Sequence, residues 1–164
     1  MRKLLAVLVA LPLAAFGAAQ EKIVALGGDV TEIVYALGAE GSLVARDSTS
    51  QWPEQVTALP DVGYLRQLNA EGILAMRPTL VLASAQAQPS LALKQVGQSQ
   101  VNVVTVPGSN ALSVIDEKVR VVAQATHRVA QGEALRQRLQ QELAALPTSP
   151  INKRVLFILN HGGM

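Results

Sequence analysis

The run Thr79-Leu-Val-Leu-Ala-Ser84 is apolar at nearly every position and shows no polar/apolar alternation. A strand of that kind has no face to offer water. It belongs in a sheet covered on both sides, the situation of a parallel sheet with helices above and below. Three more short runs of similar character are Lys22-Ile-Val-Ala-Leu26, Ser42-Leu-Val-Ala-Arg46 and Val101-Asn-Val-Val-Thr-Val106. Helical patterns separate them, and strands alternating with helices in this rhythm indicate an α/β fold with a Rossmann-like parallel sheet.

The helices carry their own punctuation. Asp29-Val-Thr-Glu32 has capping-box spacing with Asp29 as the expected N-cap; Ile33, Val34 and Leu37 line one face, and Gly38 supplies the stop. Asn69 is placed to cap a short helix that ends before Pro78, and Ser90 to cap one running to Gly97. The Gly27-Gly28 pair lacks the Gly-x-Gly-x-x-Gly spacing of a nucleotide loop and puts Asp29 where a phosphate would sit, which excludes that class.

From Asn110 to Leu146 the pattern turns wholly helical. Val114, Val119, Val122 and Ala125 keep an apolar face, and Thr126-His-Arg128 interrupts. Leu135, Leu139, Leu143 and Leu146 then recur at spacings of four, four and three, predicting a rod from Arg128 to Leu146, roughly 28 Å long, stopped by Pro147. A last apolar run, Arg154-Val-Leu-Phe-Ile-Leu159, reads as a strand in need of sheet neighbours. With five residues after it, it is expected to open a second lobe that is cut short, or else to return to the first sheet as an edge.

Arg2 and Lys3 precede the apolar run Leu4 to Phe16, and Gly17-Ala-Ala19 follows. A basic start, a short apolar stretch broken by Pro12 and a small-residue ending describe a secretory signal peptide, too short for a comfortable membrane span; cleavage is expected after Ala19. The 14 basic and 12 acidic residues then become twelve against twelve, because two cations leave with the leader. With no cluster of Lys and Arg among aromatics, nucleic-acid binding is excluded. No cysteine is present for disulfides or lipid attachment, which suits an exported chain free in a bacterial periplasm. No Gly-x-Ser-x-Gly or His-x-x-x-His pattern points to an enzyme.

The loop Asp61-Val-Gly-Tyr-Leu-Arg-Gln-Leu68 carries the chemistry. A phenol at Tyr64 beside a guanidinium at Arg66 suits an anion or ferric iron; a solvent-facing loop tyrosine is the plain alternative. Trp52, before Pro53, reads first as a partly buried loop anchor and otherwise as a residue near a ligand.

Taken together, Lys22 to Gly38, Arg46-Asp-Ser-Thr-Ser50, Val62-Gly-Tyr-Leu-Arg-Gln-Leu68 and Ala70-Glu-Gly-Ile-Leu-Ala-Met-Arg-Pro78 resemble the periplasmic haem-binding proteins of bacterial haem ABC importers. The strand-helix pattern and the Glu-x-Ile-x-x-x-x-Pro segment are shared with cobalamin and siderophore binders; Gly-Tyr-Leu-Arg-Gln-Leu is what points to haem. The resemblance implies two lobes joined by a long helix, with the ligand between them. Residues 1–19 would be the signal peptide, 20–109 an N-terminal α/β lobe, 110–146 a helical segment holding the bridging helix, and 147–164 the start of a truncated C-terminal lobe.

It further implies residue roles. Tyr64 would ligate haem iron as a phenolate, a hard anionic ligand that needs a cation nearby, supplied by ferric iron with help from Arg66. Arg66 or Arg46 would meet a haem propionate, the plain alternative for each being a solvated surface arginine. His161 would be a second iron ligand where two haems stack, or an exposed terminal histidine; His127 reads as an exposed polar residue or helix cap. Glu71 would dock on the importer's permease subunit, and it also suits the first turn of its helix. The expected protein is a monomeric, non-enzymatic carrier of haem, with no stable membrane insertion once mature; a cobalamin or siderophore carrier is the alternative.

Overall fold

A computed structural model describes residues 21–147, 149 and 153–158. The four apolar runs become strands β1 (Ile23–Leu26), β2 (Leu43–Arg46), β3 (Leu80–Ser84) and β4 (Asn102–Val106). All pairings are parallel, in the order β2-β1-β3-β4. Strand alternation divides the core between two faces. Ile23, Ala25, Leu80 and Leu82 point to one side and Val24, Leu26, Val81 and Ala83 to the other, all essentially inaccessible. Hence the unbroken apolar runs: each face has its own helical cover.

On the first face lie α1 (Gly28–Ala36), α4 (Val114–Ala125) and α5 (Val129–Ala144); on the second, α2 (Ala70–Ala75) and α3 (Ser90–Gln98). Short 3₁₀ turns occupy Glu40–Ser42 and Glu54–Ala58. No helix among the described residues is long and apolar enough to cross a membrane.

Several expectations at helix ends are corrected. Helix α1 starts at Gly28 with Gly27 in the cap position, so Asp29 is inside the first turn and caps nothing. Gly27 sets this start. It turns at φ +121°, and a Cβ there would lie 2.9 Å from the Cβ of Ser84. Asp29 instead forms an ion pair with Lys118 of α4. Pro89 takes the cap position of α3, leaving Ser90 as its first helical residue. The Asn69 cap forms as expected, its Oδ1 accepting the Glu71 N–H at 2.7 Å.

The leucine-striped rod is α5, 16 residues or about 24 Å long. Leu135 is buried and Leu139 packs beside it, whereas Leu146, past the helix end, is 57 % exposed. Burial thus declines along the stripe, from Leu135 through the half-buried Leu139 and Leu143 to the exposed Leu146. Helices α4 and α5 approach very closely: a Cβ on Gly132 would sit 2.4 Å from the Cβ of Ala123. The Asp116 carboxylate of α4 clamps the pair, accepting from Arg136 Nε at 2.7 Å, Arg136 Nη2 at 2.9 Å and Gln140 Nε2 at 3.1 Å. His127, exposed at φ +55° just past the end of α4, donates its N–H to the Gln124 carbonyl.

The expected strand from Arg154 to Leu159 does not form over residues 153–158, where Val155 to Ile158 are 77–86 % exposed. Its return as an edge of the first sheet is not observed either. An apolar strand needs backbone partners and cover, and residues 155–158 have little cover and no strand pairing. Leu159, His161 and the leader at 1–19 lie outside the described residues.

Candidate functional site

Between β1 and β3 the strand order reverses direction, and open parallel sheets bind ligands in the crevice beyond the strand C-termini at that point. A polar cavity of about 350 Å³ lies there, lined by Gly27, Gly28 and Asp29 after β1, by Ser84 and Gln86 after β3, and by Thr49, Tyr64, Leu65 and Arg66. Tyr64 and Arg66, paired from sequence alone, do share one cavity.

Their loop is held from both sides. Leu65 and Leu68 are buried in the second core, so the residues between them face out. Gln88 N–H donates to the Leu65 carbonyl at 2.8 Å, and Leu68 N–H to the Gln88 carbonyl at 2.9 Å. Tyr64 remains 37 % exposed, its ring available from the cavity. Arg66 Nη2 stands 3.4 Å from Gln86 Oε1, a long contact that leaves most of its donors unused among the described residues.

The opposite wall rests on Asp47, which is fully buried. Its Oδ1 accepts from Gly27 N–H at 2.8 Å and Ser50 Oγ at 2.7 Å, its Oδ2 from Thr49 N–H at 2.9 Å and Thr49 Oγ1 at 2.5 Å. Ser50 Oγ lies 2.8 Å from Thr31 Oγ1, also buried. One carboxylate thus ties the loop after β2 to the turn before α1, and both carry cavity residues.

Arg46 is placed differently from the expectation. It is buried at the end of β2, and its Nη1 donates to Asp61 Oδ2 at 3.0 Å and to the Asp47 carbonyl at 3.1 Å. It lines no wall of the cavity. Both bonds are made by Nη1, while Nε is buried without a partner among the described residues. Glu71 is exposed in the first turn of α2, away from the cavity.

Trp52 is 66 % exposed, which corrects the reading of it as a partly buried anchor. It rims a larger, mainly apolar groove of about 560 Å³ with Ile33, Ile115 and Leu139. That groove shares Asp29 with the polar cavity but holds neither Tyr64 nor Arg66, so size and chemistry part company here. Gln86, Asp47 and Asp61 were not identified from sequence as site residues. Gln86 had one signal, its position just past the C-terminus of a central parallel strand.

Comparison with known proteins places these features in context. The family model described as "Periplasmic binding protein" matches residues 23–155. The periplasmic heme-binding protein RhuT of Roseiflexus sp. RS-1, solved in apo form, is 39 % identical with a TM-score of 0.75, over 77 % of this chain and 49 % of that one. The periplasmic heme-binding protein BhuT, solved with two hemes, is 37 % identical with a TM-score of 0.77, over 87 % of this chain and 58 % of that one. Among curated proteins, the vitamin B12-binding protein of Pectobacterium carotovorum is 28 % identical over 126 residues, 77 % of this chain and 45 % of that protein. The chain thus spans about half the length of these relatives.

Proposed function

The chain belongs to the periplasmic binding protein family, and we propose that within it the chain serves as a haem carrier, capturing haem in the periplasm and delivering it to an inner-membrane ABC importer. The observation that carries this reading is that one polar cavity holds both the Tyr64 phenol and the Arg66 guanidinium. The same fold serves unrelated ligands, so the ligand must be argued from the site. Phenolate is a hard ligand suited to ferric iron, and the planar fork of Arg66 suits a carboxylate such as a haem propionate. Haem would bring both groups at once.

Arg66 therefore takes the propionate role, and Arg46, engaged with Asp61, does not. Glu71, exposed on α2, is the docking residue for the permease; a lone exposed ion pair is weak, so docking requires further contacts. His161 is proposed as ligand to a second haem, a role supported only by likeness to the relative solved with two hemes. The protein works as a binding partner rather than as an enzyme, in line with its relatives, which are solute-binding proteins.

A cobalamin or ferric-siderophore carrier is the second reading, favoured by the vitamin B12-binding relative. The weight falls on haem because, among solved structures, two heme-binding relatives are 39 % and 37 % identical against 26 % for a vitamin B12-binding one. Parallel titrations with hemin, cyanocobalamin and a ferric siderophore decide between them. Tightest binding of hemin is expected; saturable binding of cobalamin alone would replace this reading with the second.

A further inference from the structure

We infer that the Arg46–Asp61 pair is a latch that sets the position of the Tyr64 phenol, so that both residues act on the bound ligand through Tyr64 without touching it. The inference rests on the haem reading and adds to it two positioning residues.

Residues 60–63 run alongside β2 as an added edge. Arg46 N–H donates to the Pro60 carbonyl at 3.0 Å, Val62 N–H to the Arg46 carbonyl at 2.9 Å, and Ser48 N–H to the Gly63 carbonyl at 2.9 Å. The Asp61 side chain locks that edge with both oxygens. Oδ2 accepts from Arg46 Nη1 at 3.0 Å, while Oδ1 accepts from Ser48 Oγ at 3.0 Å and from Gly63 N–H at 2.8 Å.

The last of these contacts matters most for the ligand. Gly63 turns at φ +103°, a region other residues rarely adopt, and Tyr64 leaves directly from that turn. Asp61 Oδ1 therefore fixes the turn from which the phenol is aimed, and Asp61 Oδ2 ties it to an arginine seated in the sheet. On its other side Tyr64 is bounded by Leu65, held through Gln88. The phenol stands at a pivot between two backbone ladders, and the latch governs one of them.

An alternative role for the pair would be ordinary stabilisation. The Asp61 side chain is 39 % exposed but that of Arg46 only 10 %, so removing either partner also costs stability by leaving a charge without its counter-ion. Loss of aim is therefore separated from loss of stability by comparing two ligands that differ only in carrying iron. For a metal ligand this matters, because outer-shell partners commonly change affinity by about 10- to 100-fold.

The test compares hemin with iron-free protoporphyrin IX on the wild-type chain and on Asp61→Asn, Asp61→Ala, Arg46→Lys and Tyr64→Ala. Asp61→Asn retains an oxygen for the Gly63 N–H while losing the ion pair, so it guards against a variant that fails to fold. The Asp61 variants and Arg46→Lys are expected to bind hemin about 10- to 100-fold more weakly, with loss of the phenolate-to-iron absorption signature. Their affinity for protoporphyrin, which has no iron to ligate, should change less than about threefold, measured without urea where each variant is folded by circular dichroism. Equal losses for both porphyrins, or unchanged hemin binding, overturn the latch while leaving the haem reading standing if Tyr64→Ala alone loses hemin. Hemin binding indifferent to Tyr64→Ala overturns the haem reading and the latch with it.

Discussion

Replacing Asp47 with alanine tests how the cavity wall is held. The carboxylate is fully buried and accepts four hydrogen bonds. On its removal the Gly27 N–H is left buried without its partner, at a cost of about 1–3 kcal/mol. Ser50 keeps its contact with Thr31, and Thr49, which is exposed, turns to water, so each loses about 1 kcal/mol net. Relief from burying a carboxylate offsets part of this. The sum is a destabilisation of about 2–4 kcal/mol for Asp47→Ala, with Asp47→Asn in between because one acceptor oxygen survives. Urea unfolding followed by far-ultraviolet circular dichroism measures it; the tryptophan is a poor reporter, since Trp52 is already 66 % exposed in the folded chain. The midpoint should fall with an unchanged slope, and exchange of the Gly27 amide should accelerate. A loss below about 0.5 kcal/mol for Asp47→Ala would refute the idea that one carboxylate holds the two loops together.

Two further outcomes concern the helix pair on the first face. Gly132→Ala gains up to about 1 kcal/mol of helix propensity but places a methyl 2.4 Å from the Cβ of Ala123, an overpacking cost of about 1–3 kcal/mol or more. Net destabilisation in thermal or urea unfolding is expected, and a stabilised variant would mean that α4 and α5 are farther apart than described. Hydrogen bonding from Arg136 holds the Asp116 carboxyl below its ordinary value of 3.8, an effect reinforced by the Arg136 charge and opposed by partial burial. With the folded value depressed, the unfolded chain binds more protons in that window. The stabilisation is therefore present above about pH 4 and lost as pH falls through the folded value. Unfolding midpoints of wild type and Asp116→Asn should differ at neutral pH and converge in acid; a gap unchanged down to pH 2 would contradict this.

Much of the fold could be read from residue order because it depends on local composition. Strands β1, β2 and β3 are β-branched or leucine-rich runs buried on both faces, which leaves such runs few other places to go, while β4, at the sheet edge, has Asn102 and Thr105 exposed. Asn69 could be read as a cap because capping involves neighbours two residues apart. The start of α1 could not, since it is decided by the approach of Gly27 to Ser84, 57 residues away. Tyr64 and Arg66 were recognisable as a pair through their shared loop. Arg46 looked available by residue type as a second candidate, and only the fold brings Asp61 to its guanidinium. Trp52 illustrates a further limit: its size suggests burial, but exposure is settled by what packs against it. The run at Val155–Ile158 makes the same point in reverse, being strand-like in composition yet unpaired where described.

The most direct test of the central claim is a hemin titration of the chain and of Tyr64→Phe, followed by absorption spectroscopy. Phenylalanine keeps the ring and the packing but removes the oxygen that would meet iron. The account predicts a ferric, phenolate-ligated spectrum for the wild type, and in Tyr64→Phe loss of that signature with affinity at least about tenfold weaker. Identical spectra and affinities for the two proteins would contradict it.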